Sequence, residues 1–201
     1  MSSMDLKGRT AVITGASRGI GAGLAEHFAA RGLGLGLCSR NLPAMASSDS
    51  VIARSLDVRD AAGMQGFADE VAERFGTIDL WINNAGVLSP IAPLRDVSVE
   101  AFREHIDINL TGVFVGSQSY VRHVRSHAGG GVLLNISSGA AWGGYAGWSA
   151  YCAGKAGVVL LTQCIALEEA DSGLRVHAVA PGVVDTEMQS LIRSTSAEDF
   201  P

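Results

Sequence analysis

Short apolar runs alternate along the chain with longer segments in which apolar residues recur at helical spacing. The short runs predict six strands, at Thr10–Thr14, Leu33–Cys38, Val51–Leu56, Ile78–Ile82, Gly131–Ile136 and Leu174–Val179. The longer segments predict four helices, at Gly19–Arg31, Ala61–Phe75, Val99–Ser126 and Ser149–Ala170. The connector of residues 40–50 contains Pro43 and a Ser-rich tail, so it allows a short helix at most.

Two of the predicted strands, Ala11–Ile13 and Val132–Leu134, are apolar without alternation. Such runs are typical of parallel strands that helices cover on both faces. The pattern therefore predicts the α/β class, with a doubly wound, Rossmann-type parallel sheet in three layers, α/β/α. We expect one domain over residues 1–201, because the sequence contains neither an internal repeat nor an interdomain linker.

Composition and charge narrow the possible partners. Hydrophobic residues make up 47% of the 201 residues and charged ones only 17%, which indicates a compact globular protein. The net charge of −5 and the scattered Lys and Arg residues disfavour nucleic acid as a partner. Residues 1–7 lack the apolar core of a signal peptide. We also expect no later apolar run to approach membrane-spanning length. We therefore expect a cytoplasmic protein with no membrane partner.

The cysteines and histidines do not indicate a metal site. Cys38, Cys152 and Cys164 are odd in number and lie in apolar or helical patterns, so we expect reduced thiols. His123 and His127 share a helix face but have no third ligand nearby. We interpret them as two solvated histidines near a helix end.

A glycine-rich turn follows the first strand directly and leads into a helix. Its sequence is Thr14-Gly15-Ala16-Ser17-Arg18-Gly19-Ile20-Gly21. Glycines at such a junction let the backbone pass close under a pyrophosphate, which then meets the amides at the helix N-terminus. The spacing differs from the common dinucleotide fingerprint, but the position between strand and helix is the required one.

The end of the second strand indicates which dinucleotide binds. NAD-binding folds often place an acid there for the ribose hydroxyls, whereas this chain has Ser39 and Arg40. Arg40, helped by Arg18 and the Ser39 hydroxyl, would hold a 2′-phosphate, since guanidinium groups match phosphate geometry. We therefore predict NADP(H) as the preferred cofactor over NAD(H), while a solvated surface role for Arg40 stays open.

Tyr151 and Lys155 lie four residues apart in a predicted helix, so their side chains project from one face. A phenol is a poor base at neutral pH, and an adjacent ammonium would favour its ionised form by lowering its pKa. The spacing alone is common on helix surfaces. Its meaning depends on the other motifs in the chain.

Taken together, the motifs resemble those of the short-chain dehydrogenase/reductase family from Leu6 to about Met188. The resemblance rests on Thr14-Gly15-x-x-x-Gly19-x-Gly21, Asn83-Asn84-Ala85-Gly86, Asn109, Ser137-Ser138, Tyr151-x-x-x-Lys155 and Pro181-Gly182, in the family's order. It implies a catalytic tetrad of Asn109, Ser138, Tyr151 and Lys155.

The roles of the tetrad come from the resemblance. Tyr151 would give its proton to the carbonyl oxygen during reduction and act as the base in the reverse direction. Ser138, chosen over Ser137 by its position relative to Tyr151, would hold that oxygen. Lys155 would lower the pKa of Tyr151 and bind the nicotinamide ribose, and Asn109 would hold a water molecule that relays protons to Lys155.

The resemblance also implies further cofactor contacts and an expectation about the end of the fold. The residues expected at the cofactor, besides the glycine turn, Ser39, Arg40 and the Tyr151–Lys155 pair, are Asp57, Val58, Asn84, Ala85, Gly86, Pro181, Gly182, Val184 and Thr186. Val184 would hold the carboxamide through its backbone and Thr186 through its hydroxyl. Family members usually continue beyond the position of Pro201, so we expect a fold that lacks the usual C-terminal strand and helix and leaves one sheet edge exposed.

The substrate wall is expected from residues 87–91, from residues 139–148 and from the segment after Thr186 that includes Met188. Trp142, Tyr145 and Trp148 either stack on an aromatic ketone or anchor their loop to the core. Residues 81–90 also resemble the sepiapterin-reductase-type and diketone-reducing members of the family.

These motifs favour an NADP(H)-dependent oxidoreductase acting on a small carbonyl or alcohol compound, with a ketone or diketone as the expected substrate. An NAD-dependent alcohol dehydrogenase and a non-catalytic dinucleotide sensor remain alternatives. Similar proteins pair through the long middle helix and the helix of Tyr151, which implies a homodimer or homotetramer.

Overall fold

A computed structural model describes residues 6–127 and 129–195. Six parallel strands form one sheet in the order β3-β2-β1-β4-β5-β6. The strands are β1 (Thr10–Thr14), β2 (Gly34–Ser39), β3 (Val51–Ser55), β4 (Leu80–Asn83), β5 (Gly131–Ile136) and β6 (Leu174–Val179). This is the Rossmann order, in which the chain reverses direction across the sheet between β1 and β4. The predicted α/β fold is confirmed.

Six helices accompany the sheet. They are α1 (Gly19–Ala29), α2 (Ala61–Phe75), α3 (Val99–Ile106), α4 (Gly112–Ser126), α5 (Ser149–Glu168) and α6 (Glu187–Ser194). All five residues of β1 are buried, and apolar clusters cover both faces of the sheet. Burial on both faces explains why the strands are apolar without alternation.

The helix predicted over Val99–Ser126 is not continuous. A π-helical turn, Asp107–Thr111, separates α3 from α4 and carries Asn109. Such single turns inside helices are frequent at functional sites. Helical spacing of apolar residues does not distinguish this turn from α-helix, which is why the sequence pattern predicted one helix.

One other expectation was wrong, and one helix was missed. Helix α6 was not predicted. The connector of residues 40–50 forms no helix, which agrees with the expectation of a short helix at most. His123 is buried rather than solvated, because its Nε2 accepts a hydrogen bond from the Ile78 backbone at 3.0 Å. In the described part of the chain, no group of three or more His, Cys, Asp or Glu side chains could hold a metal ion.

The expectation about apolar length was also wrong for α5. This helix has 20 residues and a mean hydropathy of 1.5, enough by length and composition to cross a membrane. Gly154, Val158 and Ile165 of α5 are buried, and the helix packs against β6. These buried residues account for part of its apolar character, whereas Leu160 and Leu167 of the same helix are exposed.

The glycine turn after β1 lies against the segment that follows β4. A Cβ atom on Gly21 would lie 2.4 Å from the Gly15 carbonyl oxygen and 2.6 Å from Asn84 Nδ2. A Cβ on Gly23, in the same helix, would meet nothing within 4 Å.

We expect Gly21→Ala to lower the free energy of unfolding by about 1–3 kcal/mol through overpacking, and Gly23→Ala to raise it by about 1 kcal/mol through helix propensity. Urea unfolding of both variants tests this close approach, and equal effects would contradict it.

Candidate active site

The ends of the strands surround a cleft of about 870 Å³ at the carboxyl edge of the sheet. Every residue predicted for catalysis or cofactor binding except Asn109 lines this cleft. Asn109 is fully buried behind it. The topology explains the gathering, since the carboxyl ends of parallel strands meet at one edge and the crevice opens where the strand order reverses.

Hydrogen bonds join the ends of β1 and β4 beneath the cleft. The Thr14 hydroxyl oxygen accepts from the backbone amides of Asn84 and Ala85, each at 3.1 Å. The Asn84 side chain donates to the carbonyls of Thr14 and Gly15 at 3.0 and 3.2 Å. Asn84 therefore fixes the glycine turn against the segment of residues 84–86.

The start of α1 fits a pyrophosphate. Arg18 is the N-cap residue, but no side chain caps the helix, and its first turn contains no acidic residue. Gly15, Ser17, Gly19 and Ile20 line the cleft around this helix end. The free amides of a helix N-terminus attract an anion such as a phosphate group.

Of the three residues expected at a 2′-phosphate, two have other partners within the protein. Arg40 is exposed at the end of β2. The guanidinium of Arg18, however, forms an exposed ion pair with Glu187 of α6. The Ser39 hydroxyl donates to the Asn41 carbonyl at 2.6 Å, so its hydrogen is engaged within the protein. Only Arg40 of the three is placed as the sequence analysis expected.

Asp57, expected at the adenine, is held by Arg59. The guanidinium contacts both carboxylate oxygens, at 3.0 and 2.7 Å. The hydrogen bond from the Arg59 side chain lowers the pKa of Asp57, and the positive charge of Arg40 acts in the same direction. Val58 is buried beside it. Asp57 is therefore ionised at the rim of the cleft at neutral pH.

Tyr151 lies at the inner end of the cleft with only 7% of its surface exposed. Burial raises its pKa, and a hydrogen bond with the Ser138 side chain opposes that rise. The adjacent Ser137 is buried and donates to the Lys155 carbonyl at 3.2 Å. The geometry thus favours Ser138, and not Ser137, as the serine that acts beside Tyr151.

Lys155 is buried next to Tyr151. Its Nζ donates to the Ile136 carbonyl at 2.8 Å and lies 5.7 Å from the centre of the Tyr151 ring. Burial lowers its pKa from 10.5 to about 8. We expected this ammonium to lower the pKa of Tyr151. In the structure the pKa of Tyr151 is raised instead, because burial of the phenol is the largest effect on it.

Asn109 is engaged entirely within the protein. Its Oδ1 accepts from the Val87 amide at 2.8 Å, and its Nδ2 donates to the Val87 carbonyl and to His105 Nε2, both at 2.7 Å. No amide hydrogen remains for a water molecule. A water held here, as the family resemblance implies, can only donate to an oxygen of Asn109.

The segment after β6 completes the cleft. Pro181, Gly182, Val184 and Thr186 line it, and the Thr186 methyl group would lie 3.4 Å from a Cβ on Gly19. Helix α6 adds residues that the sequence analysis missed, namely Glu187, Gln189, Leu191 and Ile192. The spacing of Met188, Leu191 and Ile192 is the signal that would have revealed an amphipathic helix.

The aromatic loop residues divide into two groups. Trp148 is buried, and its ring lies 5.2 Å from the Tyr151 ring, so it anchors the loop as well as lining the cleft. Tyr145 lines the cleft and is half exposed. Trp142 is 75% exposed and lies outside the cleft lining. Leu88, Ala140 and Met188 pack around Tyr151 and make this end apolar.

Comparison with known proteins agrees with this geometry. The family model described as short chain dehydrogenase matches residues 9–197. The chain is 36% identical to the 3beta-hydroxysteroid dehydrogenase 1 of Eggerthella lenta, over 92% of this chain and 74% of that protein. It is 35% identical to a benzil reductase ((S)-benzoin forming) of Bacillus cereus, over 96% and 82%. The crystal structure of a short-chain type dehydrogenase/reductase from Mycobacterium marinum superimposes with a TM-score of 0.86 at 30% identity, covering 96% of this chain and 80% of that one.

The fold and the cleft define a Rossmann-type enzyme that binds a nicotinamide cofactor. The chain belongs to the short-chain dehydrogenase/reductase family, and it is an oxidoreductase that acts on alcohol and carbonyl groups.

The buried Lys155 ammonium should cost stability in the protein without added cofactor. Because its folded-state pKa is about 8 and its ordinary value is 10.5, the unfolded chain binds more protons between these two pH values. The stability of the unmodified protein should therefore rise with pH across this window, relative to a variant without the charge. We expect Lys155→Met to be more stable below pH 8 by up to about 3 kcal/mol, with the gap closing as the pH approaches 10.5.

Urea unfolding at several pH values measures this gap. Arg103→Met, which removes an exposed positive charge on α3, is the control and should change stability by less than about 0.5 kcal/mol. A Lys155→Met variant that is less stable than the unmodified protein at pH 7 would contradict the burial cost.

Proposed function

We propose that this enzyme is an NADP(H)-dependent carbonyl reductase whose substrates are ketones or diketones. The observation that carries the proposal is Tyr151, a phenol with a raised pKa that is hydrogen-bonded to Ser138 at the apolar end of the cleft. A raised pKa keeps this phenol protonated at neutral pH, which suits a proton donor. The name of the Bacillus cereus relative, a benzil reductase, supports a diketone substrate.

Ser138 and Tyr151 share the work at the carbonyl oxygen. Ser138 holds the oxygen, and Tyr151 gives it the phenolic proton while the C=O bond becomes a C–OH group. A nicotinamide held in the cleft would supply the hydride for the carbonyl carbon. Lys155, positively charged below about pH 8, stabilises the phenolate left on Tyr151 and binds the ribose hydroxyls. An oxygen of Asn109 holds the water that returns a proton toward Lys155.

The other residues hold the cofactor. The amides at the start of α1 bind the pyrophosphate, and residues 84–86 line the nicotinamide side. Asp57 and Val58 meet the adenine, and the segment of residues 181–186 binds the carboxamide. Arg40 binds the 2′-phosphate, and Arg18 joins it when its ion pair with Glu187 opens.

A second candidate is an NAD-dependent alcohol dehydrogenase that runs in the oxidative direction. The engagement of Arg18 by Glu187 and of the Ser39 hydroxyl by Asn41 favours it, because these contacts leave Arg40 as the main phosphate ligand. The cofactor preference of the enzyme separates the two candidates.

We also propose a homodimer or homotetramer that forms through α4 and α5. Phe114 on α4 and Leu160 and Leu167 on α5 are large apolar residues with exposed side chains. Sedimentation velocity measures the assembly, and a monomer at micromolar concentration would contradict it.

Replacing Tyr151 by Phe removes the proton donor but retains the ring that packs against Trp148. We expect kcat/KM to fall roughly 100- to 10,000-fold across a panel of ketones, aldehydes and diketones. Tyr145→Phe removes a hydroxyl from the same cleft and should change kcat/KM less than about threefold. Unchanged NADPH oxidation by Tyr151→Phe would mean that another group donates the proton.

Replacing Arg40 by Asp should reverse the cofactor preference. We expect the Kd of NADPH to rise roughly 10- to 100-fold and that of NADH to change much less, because the lost contact is to the 2′-phosphate. Arg95→Asp makes the same charge change at an exposed position outside the cleft lining and serves as the control. Equal affinity of the unmodified protein for NADPH and NADH would exclude the NADP(H) assignment.

A further inference from the structure

His105 is a fully buried histidine that the proposed chemistry does not use. It lies near the end of α3, four residues before Asn109, and none of its surface is exposed. It does not line the cleft. A buried imidazole needs hydrogen-bond partners, and both of its ring nitrogens have one.

The hydrogen bonds of His105 and Asn109 form a chain whose donors and acceptors are fixed at both ends by backbone groups. At one end, the Val87 amide can only donate and the Val87 carbonyl can only accept, which sets the Asn109 amide with Oδ1 toward the former and Nδ2 toward the latter. At the other end, the Ser89 carbonyl lies 2.7 Å from His105 Nδ1 and can only accept.

The tautomer of His105 follows from these two ends. Nδ1 must carry the proton that it donates to Ser89, so Nε2 of the neutral ring presents a lone pair. The second hydrogen of Asn109 Nδ2 points to that lone pair at 2.7 Å. All four hydrogen bonds of the pair are satisfied in one arrangement only.

The pair holds the backbone of a segment that lines the cleft. Asn109 binds both backbone groups of Val87, and His105 binds the carbonyl of Ser89, so two side chains one helical turn apart fix the segment of residues 87–89. Val87 and Leu88 of this segment line the cleft.

His105 and Asn109 also adjoin the groups of the proposed reaction. A Cβ on Gly86 would lie 3.1 Å from Asn109 Oδ1 and 3.8 Å from Lys155 Nζ, which places these groups around one point. On its other side, the His105 ring packs edge to face against the Tyr151 ring, with 6.0 Å between the ring centres.

We propose that His105 is a positioning residue that locks the amide of Asn109 in a single orientation. Together the two side chains hold the segment of residues 87–89 in the geometry that cofactor binding and turnover need. The catalytic part of this inference rests on the proposed reductase function, and the binding part does not.

Neither an apolar residue nor a charged imidazole can replace neutral His105. An apolar side chain leaves one hydrogen of the buried Asn109 amide without an acceptor. A protonated imidazole places an N–H group against Asn109 Nδ2, so two donors face each other. Burial lowers the pKa of His105, and the positive charge of Lys155 adds to this effect, although the Ser89 hydrogen bond acts against both. The lowered pKa favours the neutral ring.

Three variants test the role of His105. His105→Leu removes both hydrogen bonds, and His105→Gln retains a carbonyl oxygen near the position of Nε2 that can accept from Asn109. His123→Leu is the matched control, because His123 is also buried and also accepts one hydrogen bond, but lies on α4 outside the cleft lining. We expect His105→Leu to weaken NADPH binding and to lower kcat roughly 10- to 100-fold, with substantial recovery in His105→Gln. His123→Leu should lose stability only.

A double-mutant cycle with Asn109→Ala shows whether His105 acts through Asn109. If it does, His105→Leu has little further effect on kcat or on the Kd of NADPH once Asn109 is removed. Effects of His105→Leu that are equal in both backgrounds would overturn the proposal, as would equal activity losses in His105→Leu and His123→Leu per folded molecule. If His105→Leu does not fold, a His105→Gln variant without activity would overturn it as well.

Two readouts remain if the reductase proposal itself fails. Nitrogen NMR of the His105 imidazole should show protonated Nδ1 and unprotonated Nε2 at neutral pH, and the opposite tautomer would overturn the inference. An unmodified protein that turns over no carbonyl substrate but binds NADPH more tightly than His105→Leu would contradict the proposed reaction and support the positioning role.

Discussion

The site depends on the hydrogen bonds that join the end of β1 to the end of β4. Parallel strands bring their carboxyl ends to one edge, but they do not by themselves bring two loops into contact at the reversal of strand order. The Thr14 hydroxyl and the Asn84 amide do this, since together they satisfy backbone groups on both sides. The absence of a side chain at Gly21 then lets the turn close against Asn84. The cleft opens above this junction.

Burial sets the chemistry of the two groups above the junction, and it acts on them in opposite directions. It raises the pKa of the Tyr151 phenol and lowers that of the Lys155 ammonium, so both groups are shifted toward their neutral forms. A protonated phenol and an ammonium group with a lowered pKa thus lie side by side in an apolar pocket. A hydrogen bond to the Ile136 carbonyl holds Lys155 in place, and Tyr151 packs among Leu88, Ala140 and Trp148.

Much of the fold and of the cleft could be predicted from the sequence, because both depend on local patterns. Buried parallel strands are apolar throughout, and the glycine turn marks the first crossover. The remainder depends on contacts between distant residues. The π-helical turn at Asn109, the engagement of Ser39 by Asn41 and the ion pair of Arg18 with Glu187 leave no periodic signal. His105 was missed because a histidine between Glu104 and Ile106 shows no role until the fold brings together its partners, Val87, Ser89 and Asn109. The dominance of burial over the Lys155 charge also requires the packed structure.

The uncapped start of α1 has a consequence for the protein as a whole. A side chain at the N-cap satisfies one of the first amides of α2 and of α3, from Asp60 and Ser98, whereas α1, α5 and α6 have no such cap. Helix α1 has no such partner, so a phosphate group would complete it from outside the chain. Binding of the ligand then stabilises the folded protein. At a ligand concentration one hundred times the Kd, the free energy of unfolding rises by about 2.7 kcal/mol. The abundance of folded enzyme would follow the supply of dinucleotide in its surroundings.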